Sequence, residues 1–513
     1  MRLSHVSAKS VPMLLTVLAI VGLATVSLVR ETLAETPARP NIVLVLADDL
    51  GYRELGSFGQ EKIRTPNLDR LAEQGMRLTQ HYCGNAVCAP SRCVLMTGKH
   101  PGHAYIRTNK STPPEGQEPI PDSEVTLAEL LKAKGYATGV FGKWGLGGPG
   151  SPGEPNKQGF DRFFGYLCQG VAHSYYPEYL WSDTNKFFLK NSPAVPGHAN
   201  LPTGSDPANP ASYEMFKGQD YAPSRIAEQA LKFVKDNQDQ PFFLYYPTII
   251  PHVALHVPDS ELQQYLELGW NDPPFTRANK RGYTPHFTPR AAYAAMISTM
   301  DANIGRILHL LDELKLADNT IVIFTSDNGT THLGEEVDYT FFNSVGELRG
   351  MKGELYEGGI RVPTIVRWNK HVAAGSTSDR ISGFEDWMPT ILDLVGCQDA
   401  IPANIDGASM AATLLGKQQE PKPFLYREFP SYGGQQSVRV GDWKAIRQNL
   451  NQGIVKTELY NLASDVSESH DVASEHPEIV ARLETIMKRE HTPSELFPLP
   501  SIDTPPKKPK QQK

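Results

Sequence analysis

Residues 41–49 read Asn-Ile-Val-Leu-Val-Leu-Ala-Asp-Asp. The run from Ile42 to Ala47 shows no polar alternation, which predicts a strand buried on both faces, as in the middle of a parallel sheet. Two acidic residues, Asp48 and Asp49, follow at once. The same grammar returns downstream. Pro241 leads into Phe242-Phe243-Leu244-Tyr245-Tyr246, and a second buried run, Ile321-Val322-Ile323-Phe324, follows a long helical pattern over 290–314. A helix over 125–134, stopped by Gly135, precedes a strand over 136–141. Another over 68–74 starts behind Thr65-Pro66-Asn67 and stops at Gly75. Strands alternating with helices predict an α/β fold: a large mixed, mostly parallel sheet with helices on both faces. In such folds functional groups gather beyond the carboxyl ends of the strands.

The texture changes outside this framework. Residues 145–220, rich in Pro, Gly, Asn and aromatics, lack periodicity and are expected to form loops over one end of the sheet. After about residue 420, short segments such as Ser437-Val438-Arg439-Val440 and Trp443-Lys444-Ala445-Ile446 predict a small antiparallel sheet closed by a helix over 478–488. The main body is expected over 38–420, the C-terminal subdomain over 421–498, and a disordered Pro- and Lys-rich tail over 499–513. At the other end, Arg2 and Lys9 precede an apolar stretch over 11–29, and Thr32-Leu33-Ala34 offers a cleavage site. Residues 1–34 therefore read as a signal peptide, with an uncleaved N-terminal anchor as the alternative. The expected location is secreted or periplasmic, and no later segment is long and apolar enough to span a bilayer.

A net charge of -7 over 513 residues, without a long basic run in the body, argues against nucleic acid as a partner. The five cysteines, Cys83, Cys88, Cys93, Cys168 and Cys397, are too sparse for a disulfide scaffold. Setting Cys88 aside leaves four, enough for two bridges in any of three pairings. A zinc site from Cys83, Cys88 and Cys93 with His81 or His100 is a rival reading, weakened by spacings wider than those of zinc knuckles.

Three constellations carry chemistry. Asp48 and Asp49 would repel each other at a strand end, and a hard divalent cation with oxygen ligands relieves that conflict. Asp327-Asn328-Gly329, behind the strand over 321–324, offers a carboxylate and an amide oxygen that would converge with the first pair if both strands share a sheet. Cys88-Ala89-Pro90-Ser91-Arg92 sets a cysteine in a turn-prone segment beside a fixed cation, which would favour an anionic nucleophile or an anionic substrate.

The stretch from Ala86 to Arg92, continuing through Thr97-Gly98, resembles the signature of the formylglycine-dependent sulfatases, arylsulfatase-like members of the alkaline phosphatase superfamily. The likeness runs through Asp48-Asp49, Gly142-Lys143-Trp144, Gly159-Phe160-Asp161, Pro251-His252, Thr325 to Gly329, Arg349 to Lys352, Glu357 to Pro363 and the late Asp442-Trp443-Lys444. It implies an alkaline phosphatase-like fold with 38–420 as its catalytic domain. It also implies that a maturation enzyme, the formylglycine-generating enzyme, oxidises Cys88 to formylglycine. Asp48, Asp49, Asp327 and Asn328, with an oxygen of the modified Cys88, would hold one Ca²⁺, in preference to Mg²⁺. One hydroxyl of the hydrated aldehyde would attack sulfur and the other would then expel sulfate. Arg92 would hold the diol, Lys143 and Lys352 would clamp the sulfate, and His252, expected to titrate near the working pH, would protonate the leaving oxygen.

One position departs from the pattern. Many sulfatases carry a His after Gly-Lys-Trp, and here it is Gly145; Phe141 also departs from the family's second signature. His173 and His332 are candidates to fill the space and contact substrate, unless Gly145 only makes room for a bulkier one. Tyr175, Tyr176, Tyr179 and Trp181 would suit stacking on sugar rings. The expected substrate is a sulfated carbohydrate, with aryl sulfates as surrogates. The alternatives are a phosphoric or phosphonic monoester hydrolase on the same scaffold and a sulfated-glycan-binding protein that has lost catalysis.

Overall fold

The computed structural model describes residues 39–276, 282–331, 333–334 and 336–503. The N-terminal segment over 1–34, the candidate His332 and the tail from residue 504 lie outside the described residues. From Pro40 onward the described residues form one compact unit.

Its centre is a ten-stranded sheet. From edge to edge the strands are Ser376–Ser378, Met76–Leu78, Thr364–Arg367, Thr320–Ser326, Asn41–Ala47, Phe242–Pro247, Ala137–Lys143, Arg162–Tyr166, Tyr179–Ser182 and Asn185–Phe188. The five central strands, from Thr320–Ser326 to Arg162–Tyr166, pair in parallel, and antiparallel strands flank them on both sides. The expected α/β architecture is thus present.

Side-chain alternation along Asn41–Ala47 shows why its sequence has no polar positions. Val43, Val45 and Ala47 join one core, and Ile42, Leu44 and Leu46 join the core on the opposite face. Helices cover both faces. Pro66–Glu73, Ala222–Asp236 and the 25-residue Pro289–Glu313 pack into the first core. Cys88–Thr97, Leu127–Ala133 and Trp387–Leu394 pack into the second. Leu127–Ala133 starts on a capping box between Thr126 and Glu129.

The C-terminal region forms a separate four-stranded antiparallel sheet, Leu425–Phe429, Gln435–Val440, Trp443–Arg447 and Thr457–Asn461. The helix Pro477–Glu490 closes it, with Leu483 and Met487 packed on Tyr426, Val438, Ala445 and Leu459.

Two expectations are corrected. Residues 145–220 are not only loops, because Arg162–Tyr166, Tyr179–Ser182 and Asn185–Phe188 extend the main sheet. Aromatic side chains and a backbone ladder hold these short strands, which leaves no alternation to read. The tail expected to be disordered from residue 499 instead begins with a fully buried Leu499 and the short helix Pro500–Asp503. Asp503 accepts a hydrogen bond from Leu499 and pairs with His491 at 2.8 Å. Among the described residues no helix is long and apolar enough to cross a membrane.

Candidate active site

The register of the sheet brings the two acidic segments together. Ala47 pairs with Ser326, so Asp48 and Asp327 leave adjacent parallel strands at the same level, and the ladder continues as Asp327 N donates to Ala47 O at 3.0 Å. Lys143 is the last residue of its strand at the same edge. Cys88 opens the helix Cys88–Thr97, so its side chain sits at the helix's positive end. One turn later Arg92 projects from the same helix. Lys352 is held by its backbone N–H on Thr330 O at 2.9 Å, and His252 follows the strand Phe242–Pro247 by a short turn.

These side chains converge in one buried cluster. Lys143 Nζ lies 2.6 Å from Asp48 Oδ2 and 3.5 Å from Cys88 Sγ. Lys352 Nζ lies 2.8 Å from Asp49 Oδ2 and 3.7 Å from Cys88 Sγ. Arg92 donates to Asp327 Oδ2 from Nε at 3.1 Å and from Nη2 at 2.8 Å. It also reaches Asp48 Oδ2 at 3.0 Å and the carbonyl of Lys143. Asn328 Nδ2 donates to Asp49 Oδ1 at 2.7 Å. Asp49 takes a left-handed conformation, φ 66°, which turns the chain within the cluster.

Electrostatics follow from this packing. Burial by itself would raise the Asp48 carboxyl, but Lys143, His252, Arg92 and Lys352 hold it below the usual carboxylate range. Burial and the adjacent Asp48 push Asp327 up to about 6. Burial, with Asp48 adding to it, pushes the Cys88 thiol up to about 12. Cysteine at this position is therefore a protonated thiol, with few of the properties of a nucleophile.

Three carboxylates, Asp48, Asp49 and Asp327, formally balance three fixed cations, Arg92, Lys143 and Lys352. The amide oxygen of Asn328 is buried and has no hydrogen-bond partner among the described residues. Ligand atoms of Asp48, Asp49, Cys88 and His252 all lie within 4.8 Å of one another. Carboxylates and an orphaned amide oxygen fit a hard, oxygen-preferring cation such as Ca²⁺.

Several expectations are corrected here. His252 does not titrate near the working pH, since burial and the Lys352 charge hold its imidazole well below the ordinary value. Its Nδ1 donates to Val253 O, leaving Nε2 as the acceptor, 3.7 Å from Asp49 Oδ2. All five cysteines are free and buried, so neither expected bridge is formed. They also form no zinc site, because Cys88 and Cys93 share a helix and five residues turn their side chains about 140° apart. Tyr175 and Tyr176 are core residues; Tyr175 spends its hydroxyl on the carbonyls of Ile249 and His252. Tyr179 and Trp181 are partly exposed, but both donate to Glu115.

His173 does reach the site. Its ring stacks on His252 at 4.8 Å and 9°, and its Nδ1 meets Nε2 of the exposed His198 at 2.7 Å. Tyr283 packs edge-on against His173 and His252. The sequence offered no signal for His198 or Tyr283, which lie in segments without motif or periodicity.

Comparison with known proteins gives this geometry its family. Residues 40–397 match the family model described as Sulfatase, and residues 351–492 match that of N-sulphoglucosamine sulphohydrolase, C-terminal. The chain is 31% identical over 481 residues to the N-acetylgalactosamine-6-sulfatase of Homo sapiens, covering 90% of this chain and 82% of that one. It is 31% identical over 520 residues to the N-acetylgalactosamine-6-O-sulfatase of Bacteroides thetaiotaomicron, covering 90% and 94%. Among solved structures, Ps i-CgsB in complex with k-i-k-neocarrahexaose superposes with a TM-score of 0.71 at 26% identity, covering 88% of this chain and 92% of that one. With a family model spanning most of its length and a cysteine set between two lysines over an acidic strand edge, the chain belongs to the sulfatase family and is a sulfuric ester hydrolase.

Proposed function

We propose that the protein hydrolyses sulfate monoesters of a carbohydrate, with Cys88 matured to formylglycine and one Ca²⁺ held by Asp48, Asp49, Asp327 and Asn328. The observation that carries the reading is the seating of Cys88, with Lys143 at 3.5 Å and Lys352 at 3.7 Å from its sulfur. A thiol pushed up to about 12 by burial is a poor nucleophile, and a hydrated aldehyde supplies the attacking hydroxyl that the thiol lacks. The carbohydrate is supported by the relatives named for N-acetylgalactosamine sulfate esters and by the structural neighbour solved with a neocarrahexaose.

When bound, Ca²⁺ supplies Lewis-acid polarisation of sulfate oxygens and lowers the pKa of the attacking hydroxyl. The chain's own residues do the rest. Lys143 and Lys352 flank residue 88 and take up charge on the sulfate oxygens. Arg92, bound to Asp48 and Asp327, fixes both carboxylates for the ion. His252 is neutral in the resting pocket, and the negative charge of an arriving sulfate ester favours its protonation, so that Nε2 then carries the proton for the leaving oxygen.

Cys88 is 1% exposed, so the maturation enzyme must act before this part of the chain closes. We also take residues 1–34 as an export signal, which would put the enzyme outside the cytoplasm; N-terminal sequencing of the mature protein tests this.

The functional test is peptide mass analysis of residue 88 beside turnover of nitrophenyl sulfate and nitrophenyl phosphate. A loss of about 18 mass units at Cys88 with preferred sulfate turnover is expected, as replacement of a thiol by an aldehyde requires. Full activity with unmodified Cys88, or a strong preference for phosphate, would sink the reading.

A further inference from the structure

Gly145, where the chain departs from the sulfatase pattern, has a neighbour that accounts for the missing side chain. Its φ is +79°, and a Cβ built on it would lie 2.1 Å from Gln169 Nε2. The space a side chain at 145 would enter is therefore filled by the carboxamide of Gln169. That carboxamide is itself unsatisfied. Gln169 is 5% exposed, yet neither Nε2 nor Oε1 has a hydrogen-bond partner among the described residues. A buried amide with two unmade sets of hydrogen bonds is costly, and native folds keep few of them without a purpose.

The surroundings indicate the purpose. Two residues before Gly145 stands Lys143, whose ammonium lies 3.5 Å from Cys88 Sγ. Two residues after Gln169 begins the turn Val171–His173, whose imidazole stacks on His252. Gly145 N donates to Leu167 O at 3.3 Å and Trp144 N to Tyr166 O at 2.9 Å, so the segment leading into Gln169 is tied to the strand end that carries Lys143. Gln169 thus packs against Gly145, in the segment that carries Lys143, and precedes by four residues the histidine that stacks on His252.

We propose that Gln169 contacts substrate directly: Nε2 donates to a sulfate oxygen, and Oε1 accepts from a hydroxyl of the attached sugar. This rests on the sulfatase reading and adds to it a residue in the substrate pocket. The chemistry matches on both sides. A sulfate ester offers only acceptors, and the three cations around Cys88 already balance the carboxylates, so a neutral amide adds a directional donor without further charge. A sugar ring supplies the hydroxyl donor that Oε1 lacks, and an aryl ring does not.

The test uses the mature enzyme with Gln169→Leu and Gln169→Glu, read by steady-state kinetics, by inhibition with inorganic sulfate and by thermal melting. Gln169→Leu keeps the volume but removes both polar atoms. It is expected to weaken sulfate inhibition and kcat/KM by roughly ten- to a hundredfold, the scale of a hydrogen bond to a charged group, while Tm holds or rises. Gln169→Glu, which adds a repelling charge, is expected to weaken sulfate inhibition further, and it keeps the test available if the leucine variant does not fold. An active wild type whose sulfate inhibition constant is unchanged in the variants overturns the role of Gln169. A wild type without sulfate-ester turnover overturns the functional reading, and this inference with it.

Discussion

Arg92 touches three partners at once, and its substitution is the sharpest single-residue test of the cluster. It donates to Asp48, Asp327 and the carbonyl of Lys143 and is fully buried. Arg92→Met would leave two carboxylates side by side without their shared cation. Unfolding by denaturant should show a loss of about 3–5 kcal/mol, the cost of stranding a buried charge, together with loss of turnover. Glu54 makes a different residue-scale prediction. It accepts from Gly51 N, Tyr293 and Thr330, and burial pushes its carboxyl up to about 7. A carboxyl raised in the folded state contributes stability that is full below its unfolded value and is lost as pH rises through about 7. Melting curves of wild type and Glu54→Gln at pH 5 and pH 8 should therefore diverge, with the wild type losing ground at the higher pH. Parallel curves would refute the burial argument.

At the scale of elements, the C-terminal sheet supports the catalytic loops. Gln435, on the strand Gln435–Val440, donates to Gly353 O at 2.6 Å and accepts from Leu355 N at 2.9 Å. These bonds clamp the segment immediately after Lys352. Gln435→Ala should raise KM several-fold and cost about 1–3 kcal/mol, the range for leaving buried backbone groups unpaired. Kinetics set against melting separate the two effects. A second tie joins Lys444 of the next strand to Glu357 at 3.0 Å and Glu468 at 2.8 Å, inside the segment that resembles the sulfatases. The antiparallel pattern of this sheet was readable in its short segments. Its role was not, because it depends on side chains that meet across 82 residues of chain.

At the scale of the whole molecule, metal and thiols give two further readouts. Chelation should abolish turnover and lower Tm, because an ion that binds the folded site and not the unfolded chain stabilises the fold in proportion to its occupancy. Added Ca²⁺ should restore both more fully than Mg²⁺, and a Tm indifferent to chelator would count against the ion. All five cysteines are free and buried. Thiol titration of the native, mature protein should thus find none, and after denaturation four, since Cys88 would no longer be a thiol. A reductant should leave Tm unchanged.

The amino-acid sequence determined the architecture and the cast of the site. Apolar runs such as Ile42 to Ala47 admit no exposed face, and acidic residues directly behind them must lie at a strand end. Residues far apart in the chain, Asp48, Cys88, Lys143, His252, Asp327 and Lys352, could be named from their motifs. Only the tertiary structure decided how they act on one another. The one-to-one register of Ala47 and Ser326 brings two carboxylates under one arginine, and burial keeps the Cys88 thiol protonated and the resting His252 imidazole neutral. It also decided what fills the space beside Gly145. A missing side chain is visible in a sequence, but the buried amide of Gln169 that takes its room is visible only once the chain has folded, because packing depends on distances that spacing along the chain does not encode.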